Sequence, residues 1–434
     1  MCMQPVLFKE EQYIEPVNLP KNSKRVLSLF SGCGGMDIGF EGGFNCLKRS
    51  INRRMHPEWI SEEIDDREVK VKETGFKTIF ANDIRLDAKA AWVSYFKNRN
   101  SYANDIYQTS SIVDLVKKVK QGELAFPADV DIVTGGFPCQ DFSVAGKRKG
   151  FHSHKSHTGN LLEIGEPSIE SRGQLYMWMR DVVTITKPKI FIAENVKGLT
   201  TLSNVQQIIE HDFAEAGDGG YLVLPARVIH APDYGVPQSR DRVIFFGFRR
   251  SALKEEALKE LSALVEGSKY DPYPQPTHNY NAIDSDLEPF VTCYEALYDL
   301  AEPEQSQDVS QQKYSKARFF PGTQGNVEIK MDSIAPTIRA EHHGNIEFRR
   351  LDESNGGTHS EELMKGLQQR RLTIRECARL QTFPDDYQFI LPKMDGNKSV
   401  SASDAYKIIG NAVPCMMAYN IAMRLANNWE LYFD

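Results

Sequence analysis

The sequence predicts an α/β protein, an open and mostly parallel sheet joined to a smaller irregular domain. Short apolar runs alternate with helical periodicity through the first part of the chain, and each early run stops in glycine or polar residues. After Arg250 that alternation ends, broken by segments such as Asp271-Pro272-Tyr273-Pro274 and Gly322-Thr323-Gln324-Gly325. The sheet domain is placed at residues 1–250, completed by 405–434, with the second domain at 251–404.

The first candidate strand is Val26-Leu27-Ser28-Leu29-Phe30, stopped by Ser31-Gly32-Cys33-Gly34-Gly35, with a helix starting near Met36. Residues Asn45 to Lys72 are charged and poor in strand signals, and read as an inserted surface segment. Thr78-Ile79-Phe80-Ala81 is the second strand, ending in Asn82-Asp83, and Val130-Asp131-Ile132-Val133-Thr134 the third, ending in Gly135-Gly136. Ile190-Phe191-Ile192-Ala193, ending in Glu194-Asn195, is the fourth, and Arg242 to Gly247 reads as another. Helical periodicity returns at Thr373 to Leu380. In an open parallel sheet the carboxyl ends of the strands form the ligand edge.

Composition excludes little beyond disorder and membrane spanning: 41% of the 434 residues are hydrophobic and 26% charged. The start of the chain lacks the basic-then-apolar order of a signal peptide, so a cytoplasmic location is expected. The 7 cysteines are scattered without a Cys-x-x-Cys pair, which argues against a disulfide framework or a zinc ribbon. A net charge of -7 leaves the partner open, because phosphate contacts need only a local basic surface.

Four groups of residues carry chemistry. The turn Ser31 to Gly35 lets backbone approach a ligand, but Asp37 stands where the dinucleotide fingerprint requires glycine, and no Walker lysine follows. Asp83 is placed to bond ribose hydroxyls, although a helix cap is an equal reading of that residue alone. Together they favour an adenosine cofactor without pyrophosphate, for which S-adenosylmethionine fits. Gly135-Gly136-Phe137-Pro138-Cys139-Gln140 forms a tight turn that presents the Cys139 thiol at the ligand edge, where backbone N–H groups favour the thiolate. Glu194 ends its strand at the same edge, and a partly desolvated carboxyl there holds a proton near neutral pH; a helix cap is the plainer alternative. Arg240 and Arg242 alternate onto one face and suit a polarised substrate group, with a surface pair to Asp241 as the competing reading.

These strings, together with Arg375-Glu376-Cys377-Ala378-Arg379-Leu380-Gln381 and Gly410-Asn411-Ala412-Val413-Pro414, closely resemble the bacterial DNA (cytosine-5) methyltransferases of restriction-modification systems. The motifs stand in the family order over nearly the whole chain. The resemblance implies a Rossmann-like S-adenosylmethionine-dependent methyltransferase sheet at 1–250, and a target recognition domain with a helix motif at 251–404. It implies that Cys139 attacks carbon 6 of a flipped cytosine in double-stranded DNA, that Glu194 protonates ring N3, that Arg242 holds O2 and that Arg240 supports Glu194 and the Cys139 loop. Phe30, Ser31, Gly32, Cys33, Gly35, Asp83 and Ile84 would line the cofactor pocket with Ser111, Ile112, Gly136, Pro138, Leu175, Asn411, Ala412 and Val413. Gln140, Ser143, Lys147 and Arg148 would approach DNA, as would Lys149 and Lys155, with Gly146 and Gly150 allowing the loop to close. Thr337, Ile338 and Arg339 look like the family's Thr-Leu region, with isoleucine for leucine, and would contact DNA; His342, His343 and Asn345 either read bases or sit in surface turns. A functional partner endonuclease, a monomer and no metal complete the expectation; His152, His154 and His157 lack a carboxylate or cysteine companion.

Two positions depart from the family pattern. The third motif usually supplies an aspartate, yet Ser111-Ile112 lacks it and Asp105-Ile106 is a rival alignment; Ile84 stands where an aromatic is common. An RNA methyltransferase of the same fold would carry Pro-Pro-Cys-Gln where this chain has Phe137-Pro138-Cys139-Gln140, and an idle DNA-binding regulator has no need of a nucleophile.

Overall fold

The computed structural model describes residues 12–13, 19–138, 175–201, 204–282, 285–322, 325–340, 346–393 and 399–434. Its centre is an eight-stranded sheet. The strands are β1 (Lys24–Leu29), β2 (Phe76–Asn82), β3 (Tyr107–Gln108), β4 (Ile132–Gly136), β5 (Ile190–Val196), β6 (Tyr221–Val223), β7 (Arg227–His230) and β8 (Asp241–Arg249). They lie in the order β6-β8-β5-β4-β1-β2-β3, with β7 also beside β8. The run from β5 to β3 is parallel, and β8 is antiparallel to β5. The chain winds outward from β1 through β2 to β3, then returns to β4 on the other side, so the topological switch point lies between β1 and β4.

The strands read as near-continuous apolar runs because both faces are covered. Alternate residues sort onto the two faces: Val26, Ile132, Ile190 and Ile192 join one core, while Leu27, Val133, Phe191 and Ala193 join the other. The first core is closed by α1 (Gly35–Glu41) and α2 (Leu86–Phe96), and the second by α3 (Ile112–Lys120), α4 (Leu175–Thr186) and α5 (Val205–Ala214). Later in the chain come α6 (Ile374–Leu380), α7 (Ala402–Asn411) and α8 (Cys415–Tyr432). Helix α8 returns to pack along α1, so the end of the chain completes the first core.

Two expectations need correction. The third and fourth strands run on through Gly136 and Val196, so the glycine pair and Glu194-Asn195 are paired within the sheet rather than following it. Residues 45–72 are not a strandless surface insertion. Asn45–Leu47, Ile60–Glu63 and Glu68–Val71 form a three-stranded sheet, with Cys46, Trp59, Val69 and Val71 buried. Charged residues alternate with the buried ones there, so average polarity hid a period of two.

Between β8 and α7 the elements are short, and buried guanidinium groups do much of what ladders do elsewhere. Arg371 donates to the carbonyls of Ala317, Gly325, Arg318 and Ile346. Satisfying loop carbonyls in this way lets irregular chain be buried. Helices α6 and α7 start at capping boxes, Thr373 with Glu376 and Ser401 with Asp404.

Candidate active site

The glycine turn leaves β1 at the switch point and is held from behind by a chain of buried polar groups. Ser31 Oγ donates to Ser28 Oγ at 2.9 Å, Ser28 Oγ donates to Asp37 Oδ1 at 2.6 Å, and Trp92 Nε1 donates to Asp37 Oδ2 at 2.7 Å. Burial pushes the Asp37 carboxyl up to about 6, against the pull of its two donors. The turn's carbonyls are pinned as well, Gly32 O by Tyr107 at 2.8 Å and Cys33 O by Tyr387 at 2.7 Å. Gly35 is required by close approach: a Cβ there would lie 2.2 Å from Val413 O. The Cys33 side chain does not line the pocket. It is fully buried, with Sγ 3.2 Å from Ile408 O, and burial pushes its thiol up.

On the outer side of the turn the space over Gly32 is open among the described residues: a Cβ there would meet no group within 4 Å beyond its chain neighbours. Asp83 faces it from the end of β2, accepting from Gly32 N at 3.2 Å and Arg85 N at 2.9 Å, and burial raises its carboxyl. Ile84 beside it is 47% exposed, an apolar surface without cover. Phe30 is half-buried, and Asn411 is exposed beside half-buried Ala412. Of the rival third-motif positions, Ser111 follows β3 at the ligand edge and caps α3 through Val113 N, whereas exposed Asp105 precedes β3. Asn82 Nδ2 ties that loop down by donating to Gln108 O at 3.0 Å and Ser110 O at 2.8 Å. The side chains of Ile112 and Leu175 are buried in the second core.

Across the switch point lies a buried acid–arginine pair. Register places Glu194 of β5 beside Gly136 of β4, and Val196 beside Arg242 of β8. Arg242 Nε meets Glu194 Oε1 at 2.6 Å, with both side chains about one-tenth exposed. Gly136 makes room for this carboxyl, since a Cβ there would lie 2.7 Å from Glu194 Oε2. Burial raises the Glu194 carboxyl although Arg242 and Arg240 both pull it down. Asn195 Nδ2 donates to Phe137 O at 3.1 Å and so fixes the base of the turn that continues through half-buried Pro138. Cys139 lies outside the described residues, as do Gln140, Ser143, Lys147, Arg148 and the rest of that loop, and His342, His343 and Asn345.

Arg240 shares the strand face with Arg242, but its hydrogen bonds go elsewhere. Nη1 donates to Ile338 O at 2.9 Å, and Nη2 to Gly410 O and Ala412 O, each at 2.8 Å. Among the described residues, its charge also pulls the Glu194 carboxyl down. Thr337 and Ile338, expected to contact DNA, lie against the residues that precede β8. Ile338 is fully buried, with its N–H donating to Gln238 Oε1 at 2.8 Å, and Thr337 Oγ1 donates to Ser239 O. The Thr337 hydroxyl and the Ile338 N–H fasten this strap to the start of β8. Arg339 is half-buried and remains near the surface.

The supporting groups Trp92, Tyr107 and Tyr387 were missed in the sequence, and Asp37 stood out only as a fingerprint violation. Asn195 stands beside Glu194 at the end of the fourth predicted strand, which was the available signal for it.

A sheet doubly wound about β1, extended by antiparallel β8 and open at a glycine turn beside its switch point, is the frame of a Rossmann-like methyltransferase, and fold and site assign the chain to that class. The same fold occurs in a DNMT2 mutant from Spodoptera frugiperda, at TM-score 0.52 and 16% identity over 93% of this chain and 99% of that one. Methyltransferase EhMeth of Entamoeba histolytica is alike at TM-score 0.52 and 15% identity, over 94% and 99%. The C-5 cytosine-specific DNA methylase family matches residues 64–427. Type II methyltransferase M.BsuRI of Bacillus subtilis is 31% identical over 97% of this chain and 83% of its own length. M.BspRI of Lysinibacillus sphaericus is 32% identical over 92% and 81%. The chain belongs to the C-5 cytosine-specific DNA methylase family and is a DNA (cytosine-5) methyltransferase.

Proposed function

We propose that Cys139, Glu194 and Arg242 methylate a cytosine flipped out of a specific double-stranded sequence, with S-adenosylmethionine as donor. The observation that carries this reading is the buried Glu194–Arg242 pair, one strand from the turn that leads into Cys139. A base inside the stack is out of reach of such a recessed edge, so the cytosine must leave the helix.

Carbon 5 of cytosine is a weak nucleophile until a thiolate adds next to it. Cys139 forms a bond to carbon 6, and Glu194 gives its proton to ring N3, which turns the carbon 4–carbon 5 edge into an enamine. Arg242 orients the base through O2 and keeps a positive charge beside Glu194 as the proton leaves. Once carbon 5 carries the methyl group it loses its proton to water, the sulfur–carbon bond breaks to free the thiolate, and ring N3 returns its proton to Glu194.

The residues present suit an adenosyl cofactor: open space over Gly32, the Asp83 carboxyl facing it and the uncovered apolar face of Ile84. When bound, S-adenosylmethionine supplies an electrophilic methyl group. Asp83 would hold the ribose, Ile84 and Phe30 the adenine faces, Ser111 the adenine edge, and Asn411 to Val413 the amino-acid end. The chain's similarity to Type II methyltransferases supports an enzyme that protects host DNA from a partner endonuclease, and the proposal places it in the cytoplasm as a monomer. Among the described residues no helix is long and apolar enough to cross a membrane.

The test is Cys139→Ala, which should abolish methyl transfer while cofactor still binds. A 5-fluorocytosine duplex should trap the wild-type protein covalently, because fluorine cannot leave as the proton does. Bisulfite sequencing of plasmid from expressing cells maps the target sequence, and an active Cys139→Ala protein would overturn the mechanism.

A further inference from the structure

We propose that Arg240 is a positioning residue that couples DNA recognition to cofactor binding, by tying the strap at 335–340 to the loop that closes on the glycine turn. The proposal rests on reading that strap as the foot of the recognition domain. Arg240 is 1% exposed and spans two segments far apart in sequence, donating to Ile338 O on one side and to Gly410 O and Ala412 O on the other.

The strap has little slack at either end. Ser239 N donates to Ala335 O at 2.8 Å, Ala335 N donates to Pro237 O at 3.0 Å, and Gln238 side-chain Oε1 takes the Ile338 N–H. On its other flank the main chain of Arg339 lies against Gly410 so closely that a Cβ on Gly410 would fall 2.3 Å from the Arg339 carbonyl carbon. From Gly410 the end of α7 runs to Val413, whose carbonyl lies against Gly35. Backbone therefore touches backbone from the strap to the cofactor turn, with one guanidinium fork bracing the junction.

Close-packed junctions of this kind shift as units rather than deform continuously. Target DNA that settles the strap also settles the Ile338 carbonyl, and through the rigid planar fork the carbonyls of Gly410 and Ala412. The loop is then already placed when cofactor arrives. Linkage makes the effect mutual: the factor by which target DNA tightens cofactor binding is the factor by which cofactor tightens DNA binding.

The test is a thermodynamic box on the full chain. The affinity for S-adenosylhomocysteine, which cannot turn over, is measured by calorimetry alone and with a duplex carrying the target sequence mapped by bisulfite sequencing. The wild type should bind it about tenfold tighter with that duplex than with a scrambled one, within the range usual for coupled sites. Arg240→Lys keeps the charge but not the fork, and should cut the factor to below about twofold while each ligand still binds alone. Thr337→Val removes one strap contact and leaves the guanidinium, and should give a value between the two; should the lysine variant fail to fold, an unchanged factor in Thr337→Val overturns the proposal. A wild-type factor preserved in Arg240→Lys overturns it, as does a wild-type factor of one with both ligands bound. No preference for the target duplex over the scrambled one would remove the strap's recognition role and the coupling with it.

Discussion

The two sides of the ligand edge each bury a carboxyl and hold it in opposite ways. Behind the glycine turn, Asp37 is bonded by neutral donors, the Ser28 hydroxyl and the Trp92 indole. Across the switch point, Glu194 faces the Arg242 guanidinium and feels the charge of Arg240. Burial raises both groups, so desolvation alone does not distinguish them. The partners do. Neutral donors in fixed positions make Asp37 a bracket for backbone. A guanidinium that stays charged lets Glu194 gain or lose a proton with a counter-charge always beside it, which proton transfer to a ring nitrogen requires.

The largest test of that contrast is Glu194→Gln. The amide can still touch ring N3 but cannot deliver a proton, so turnover should fall about 10²–10⁴-fold. S-adenosylhomocysteine affinity should stay within about twofold, because the cofactor turn does not use this group. In the wild type the working form is protonated, so activity should decline as pH rises through the raised value of Glu194, and the glutamine variant should lack that limb. Cofactor affinity that collapses together with turnover would show that the two sides are not separable.

Asp37→Asn should show the opposite signature, in stability rather than in the chemical step. The Asp37 carboxyl rises from 3.8 to about 6 on folding. Below about pH 4 it is protonated in both the folded and unfolded chain; between there and about 6 the unfolded chain gives up its proton first, so wild-type stability falls as pH rises. Asparagine has no such dependence. The variant pays a constant penalty for turning one amide N–H toward a donor, and its deficit should shrink by up to about 3 kcal/mol between pH 4 and pH 7. Urea midpoints of both proteins across that range would check the sign, and a deficit that grows with pH would contradict it.

How much of this could be read in the sequence follows from how local each feature is. Strands β1, β2, β4, β5 and β8 were legible because strands covered on both faces become apolar runs. Glu194 and the glycine turn were legible because strand ends in a parallel sheet converge on one edge, and Arg242 because it alternates with Arg240 onto one face. Their partners were not. Trp92 reaches Asp37 across 55 positions and Tyr387 reaches Cys33 O across 354, separations that no spacing rule covers. The anchoring of the strap was hidden for a related reason: Thr337 and Ile338 are held by Ser239 and Gln238, about a hundred positions earlier. The sheet at 45–72 was hidden by the charged residues on its outer face.

Ser28→Ala gives the smallest effect and the finest test of what the neutral bracket does. The substitution removes one donor from Asp37 and leaves the Trp92 bond in place; Ser31 Oγ keeps its second acceptor, Ser28 O, at 3.0 Å. Losing one buried hydrogen bond should cost about 1 kcal/mol. The lost donor favoured the ionised carboxyl, so Asp37 should move further up. The deficit should therefore be larger at pH 8, where Asp37 is ionised, than at pH 5, where most of it already holds a proton. S-adenosylhomocysteine affinity should weaken in step at pH 8, because a less firmly held Asp37 leaves the turn at Gly32 less ordered before the ligand arrives. Equal deficits at the two pH values would mean that Ser28 supports β1 by packing alone and that the bracket is Trp92.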